Sequence, residues 1–111
     1  MTDTEDYLPE IYREFRARFG GIAEKHDAVA EAVATAGPLD EQTLRLVKLG
    51  IAVATKSEGA VRSNVRRALD AGVDLPAIEH VILLGLTTCG MPATIAAWQW
   101  AREVFESRGS K

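Results

Sequence analysis

Apolar residues recur along this chain at intervals of three and four, and an alternating apolar–polar run never persists. That period belongs to helices, not strands. Leu8, Ile11, Tyr12, Phe15 and Phe19 predict a first helix with Pro9 in its opening turn, ended by Gly20-Gly21. Ile22, His26, Val29 and Val33 predict a second, stopped by Gly37-Pro38. Asp40 is suited to cap a third, because its carboxylate can accept an orphan backbone N–H. This third helix carries Leu44, Val47, Leu49, Ile51 and Val53 and reads as buried on most sides.

Thr55 and Glu58 have capping-box spacing and predict that a fourth helix begins there. Its apolar stripe is Val61, Val65, Ala68 and Leu69, and Gly72 suits the position just past its end. Asp74 and Pro76 open a fifth helix through Ile78, Val81, Ile82 and Leu86. After Gly90 and Pro92 a sixth runs to about Phe105, leaving "SRGSK" as a frayed tail. The stretch from Val81 to Ala101 has 21 residues without a formal charge, about enough to span a bilayer. Its centre is Thr-Thr-Cys-Gly-Met-Pro, polar and helix-breaking, so two helices meeting at a bend are the better reading.

Composition narrows the function classes. At 111 residues the chain is one domain, and 47% hydrophobic content excludes disorder. A net charge of −3 with scattered Lys and Arg gives no basic patch for nucleic acid. The start "MTDTEDYLPE" lacks the pattern of a signal peptide, and a single cysteine suits a reducing cytoplasm. One cysteine also excludes an internal disulfide. His26 and His80 lack metal-ligand spacing, so no metal or cofactor is implied. The third, fifth and sixth helices carry more apolar surface than a small subunit hides, which predicts a homo-oligomer.

The run from Gly37 to Ala101 resembles the carboxymuconolactone decarboxylase family, which includes alkylhydroperoxidase D-like proteins. The resemblance rests on "LDEQT" leading into a buried helix, then "VRRALDAGVDLPAIEHVILL", then "GMPATIAA". It spans roughly residues 37–105, with residues 1–36 as N-terminal helices. It implies an all-α fold of about six helices, an orthogonal bundle assembled into dimers, trimers or hexamers. For this chain the expectation is a hexamer built as a trimer of dimers. The resemblance also places the site near the start of the fourth helix.

Two chemistries come with the family: decarboxylation of a carboxylated lactone, and peroxide reduction by a Cys-x-x-Cys pair aided by a His and an upstream Glu. In this chain Ser57 and Ala60 stand at the cysteine positions, Asn64 at the His and Arg45 at the Glu. A dithiol cycle needs one attacking and one resolving thiol, so that activity is not expected.

A lyase acting on a small carboxylated molecule would use Glu58 as acid/base, with Ser57, Arg62, Ser63 and Asn64 orienting the substrate. The alternative is a non-catalytic oligomeric binding or structural protein on the same fold. Glu58 and Arg62 also have i,i+4 spacing, which makes an ordinary helix ion pair. Arg66 and Arg67 read as a solvated face, Cys89 as a buried small hydrophobe, and Trp98 and Trp100 as divided between core and interface.

Overall fold

A computed structural model describes residues 10–109. The expected Leu8 and Pro9 lie outside the described residues, as do Ser110 and Lys111. Six α-helices form: α1 (Glu10–Arg18), α2 (Gly20–Ala34), α3 (Glu41–Thr55), α4 (Glu58–Asp70), α5 (Leu75–Leu84) and α6 (Met91–Gly109), with a 3-10 turn at Gly85–Thr87. No strand forms among the described residues. The fold is all-α, as the periodicity predicts. No helix of the described residues is long and apolar enough to cross a membrane.

The chain divides into two compact units at Pro38–Leu39. The first contains α1 and α2. The break between the first two helices falls at Phe19, directly before the expected Gly20-Gly21. Both glycines lie in the first turn of α2, and only Phe19 separates the two helices. The backbone bonds Phe19 N–H to Phe15 O and Ala23 N–H to Phe19 O, each 2.9 Å, carry helical pairing across the break. Arg16 clamps Asp27 with both terminal nitrogens, at 3.2 and 2.5 Å, and stacks over Tyr12. The bond to Asp27, aided by Tyr12, raises the Arg16 guanidinium above its ordinary range. Among the described residues of this unit, Ala23 is the buried apolar one.

The second unit holds the core. Leu49, Ala52 and Val53 from α3 meet Val61, Val65 and Ala68 from α4, Ile78 and Ile82 from α5, and Ala97, Ala101 and Val104 from α6. The predicted stripe of α4 is therefore the buried one. Trp100 packs against this core, whereas Trp98 is exposed. The face of α3 bearing Val47 and Ile51 stays exposed in the subunit, so α3 is buried along one side and not on most sides.

Local chemistry sets the helix ends. Thr43 N–H donates to Asp40 Oδ1 at 2.8 Å, and Ala77 N–H donates to Asp74 Oδ1 at 3.2 Å. Both caps were readable in the sequence. The backbone amide of Thr43 holds the Asp40 carboxyl below its ordinary value. After α4, Val73 N–H reaches Ala68 O and Gly72 N–H reaches Leu69 O, each at 3.0 Å. This is the paired bonding of a Schellman motif, and Gly72 adopts φ +89° to close it. A Cβ on Gly72 would lie 3.0 Å from Gln42 Nε2. Gly72→Ala is expected to destabilise the protein by ~1–2 kcal/mol, mainly through left-handed backbone strain. Urea unfolding followed by circular dichroism checks it; an unchanged midpoint would contradict the strain argument.

Two predicted boundaries move. Thr55 is the last residue of α3, and its hydroxyl donates to Ala52 O at 2.7 Å instead of capping α4. Lys56 then turns left-handed at φ 60°, and Ser57 becomes the cap. Beyond Phe105, α6 continues to Gly109. Arg108 there pairs with Asp70 of α4, and Ser107 Oγ donates to Val104 O, so the expected fraying is absent through that residue.

Candidate functional site

The start of α4 carries every candidate read from the sequence except Arg45. Ser57 is exposed, and its Oγ accepts from Ala60 N–H at 3.2 Å. Glu58 is the first helical residue, and Oε2 accepts from Arg62 Nε at 2.9 Å. Arg62 Nη2 donates to Glu103 Oε1 at 2.5 Å, reaching across to α6. Gln99 Nε2 holds the other oxygen of Glu103 at 3.0 Å. One turn along, Asn64 Nδ2 donates to Ala60 O at 2.9 Å, and Ser63 is half-buried.

Arg62 therefore lies between two carboxylates. Partial burial opposes its charge, but the bonds to Glu103 and Glu58 outweigh that and hold the guanidinium above its ordinary range. The Arg62 bond, with help from Gln99, holds the Glu103 carboxyl below its ordinary value. A depressed carboxyl is a weaker base. Counted as formal charges, the trio Glu58–Arg62–Glu103 is net negative. The two flanking carboxylates oppose the approach of a carboxylated ligand to Arg62.

Glu103 and Gln99 were missed by the sequence reading. Their mutual i,i+4 spacing was visible, but nothing local indicated that residue 62 would meet residue 103.

Arg45 is not part of this group. It lines a pocket with Arg67, Asp70 and Ala71, at the far end of α4. Glu58 and Asp70 are about 18 Å apart along the helix axis, twelve residues at 1.5 Å each. Arg66 departs from expectation as well: at 7% exposed it is buried, where a solvated face was expected. Its position one turn from Arg62 and one residue after Val65 turns it inward beside the core stripe. Arg67 is exposed as expected.

Two apolar grooves flank α5. One, about 370 Å³, runs between α3 and α5 past Val47, Gly50, Val81 and Leu84 to Thr88 and Cys89. The second, also about 370 Å³, lies between α5 and α6 and is bounded by Leu83, Met91, Ile95 and Trp98. The Trp98 indole N–H donates to Glu79 at 3.3 Å, and Arg102 stacks over its ring. Cys89 is partly buried and free of a disulfide. His26 and His80 are both exposed, and the described residues contain no cluster able to hold a metal ion.

This geometry is an all-α unit whose fourth helix begins at a polar cluster, in the order that the motifs imply. A profile of the carboxymuconolactone decarboxylase family matches residues 21–103. The chain belongs to the carboxymuconolactone decarboxylase family. The match begins within α2, so the family region extends further toward the N-terminus than the stretch from 37 onward that carried the resemblance. No curated protein and no solved structure matches the chain. Ser57, Ala60 and Asn64 follow one another along the first two turns of α4 and bring no thiol and no imidazole.

Proposed function

We propose that this carboxymuconolactone decarboxylase family protein is a self-associating, small-molecule-binding module without dithiol peroxide chemistry. The observation supporting this reading is that the polar side chains at the α4 start are already committed to the chain itself. Ser57 caps the helix, Asn64 bonds its own backbone, and Arg62 is shared by Glu58 and Glu103. Ala60 has no reactive group. The grooves beside α5 have the apolar lining and the lower-range volume of small-ligand sites.

A lyase acting on a carboxylated substrate is the second reading. It is favoured by Glu58, 54% exposed and directly beside a guanidinium. In that reading Glu58 transfers the proton, and Arg62, Ser63, Asn64 and Ser57 orient the substrate after Glu103 gives way.

The test is peroxide consumption by purified protein with a dithiol reductant, beside a Cys89→Ser variant. Equal, near-background rates are expected. Cys89 is partly buried, and a sulfenic acid formed on this single thiol has no resolving cysteine in the chain, so turnover depends on the added dithiol reaching it. Rapid consumption that disappears in Cys89→Ser would overturn the reading. Release of carbon dioxide from a carboxylated lactone, lost in Glu58→Gln, would instead establish the lyase.

A further inference from the structure

At the end of α4 remote from Ser57, Arg45 is left incompletely bonded. Its side chain is 13% exposed, and Nε and Nη1 are buried with no hydrogen-bond acceptor. Glu41, one turn earlier on α3, brings Oε2 within 3.3 Å of Nε. That separation gives charge attraction. The carboxylate does not lie along the N–H direction, however, so the donor stays unsatisfied. Buried donors without acceptors are rare in folded proteins.

The surroundings offer Arg45 little else. It opens on a pocket of about 300 Å³ walled by Glu41, Arg67, Asp70 and Ala71. Asp70 is engaged by Arg108 from α6. The Ala71 carbonyl accepts from Gln42 Nε2 at 3.0 Å. Glu41 is exposed at the rim, and Arg67 is the second exposed group there. A guanidinium presents its N–H groups as a planar fork that fits two oxygens of one oxyanion. Glu41 meets that fork from the side and leaves it partly used.

We propose that this pocket binds a small oxyanion, a carboxylate or phosphate group, on the Arg45 fork with Arg67 at the mouth. Glu41 is the internal placeholder. When it swings out, it uncovers Nε and removes the negative charge that competes with the ligand. Asp70 also lines the pocket, but its carboxylate is shared with Arg108, which leaves Arg45 and Arg67 as the cations available to the ligand. The site is distinct from the α4 start and stands whether or not the reading of that cluster is right.

The experiment titrates the full chain with sodium phosphate and, separately, sodium acetate. Chloride holds ionic strength constant, and the arginine Nε–H signals are followed by NMR. The expected result is a saturable shift of the Arg45 signal. Saturation by phosphate alone, acetate alone or both identifies the oxyanion class. Arg45→Gln should abolish saturable binding, and Glu41→Gln should tighten it several-fold. Arg67→Gln, at an exposed position, should weaken it even if Arg45→Gln fails to fold. A response no different from chloride, or a Glu41→Gln variant that binds more weakly than wild type, would overturn the proposal.

Discussion

Replacing Leu49 with alanine is expected to destabilise the protein by ~2–5 kcal/mol, the range for truncating a buried leucine. Leu49 is completely buried and belongs to the cluster where α3, α4, α5 and α6 meet. Removing three carbons there costs both the lost apolar transfer and the cavity left behind. The neighbours that could close the cavity, Val61, Val65 and Ile78, are themselves fully buried and have little freedom to move. A small domain has only about 5–15 kcal/mol of total stability, so the loss is a large share of it. The midpoint of thermal unfolding should fall by at least roughly 8 °C, at 4–8 °C per kcal/mol. Lys48→Ala, one residue away on the exposed face, should stay within about 0.5 kcal/mol of wild type. Equal effects from the two substitutions would mean that the core lies elsewhere.

The second large effect concerns assembly. Val47, Ile51, Leu83, Leu84, Met91, Ile95 and Trp98 are all exposed on α3, α5 and α6 of the isolated subunit. Large exposed apolar side chains clustered on a subunit mark interaction surfaces. Wild-type protein at micromolar concentration is therefore expected to scatter light as a dimer or larger, with a hexamer built as a trimer of dimers as the specific expectation. Val47 is 48% exposed and Leu84 60%, and both border the groove between α3 and α5. The double variant Val47→Glu/Leu84→Glu would place two unpaired carboxylates into any interface formed there. Burying them unpaired is too costly for association to survive. The variant should run at the subunit mass of 12.0 kDa while keeping its helical circular dichroism. A wild type that itself scatters as 12.0 kDa would end the oligomer reading.

Much of the fold was legible because its signals act over four residues or fewer. Asp40 and Asp74 cap helices from the residue just outside them, and Gly72 supplies a conformation that other residues resist. Val61, Val65 and Ala68 mark a buried face by spacing alone. The Glu58–Arg62 pair follows from one helical turn. The start of α4 was harder, because Thr55 and Ser57 each satisfied a local rule. The choice fell to Ser57 once Lys56 turned left-handed to end α3, leaving Thr55 inside the preceding helix.

The sequence by itself determined the helical class, the number of helices and the absence of a dithiol, since period and residue identity require no partner. Tertiary structure alone decided which charges meet. Arg62 finds Glu103 forty-one residues away, and Arg108 finds Asp70 across thirty-eight. Those contacts depend on how α4 lies against α6, which spacing along one helix does not encode. The same packing buries Arg66, places Arg45 at the end of α4 away from Ser57, and carries α6 past its apparent end. A guanidinium on a helix reads as solvated until a neighbouring helix covers it.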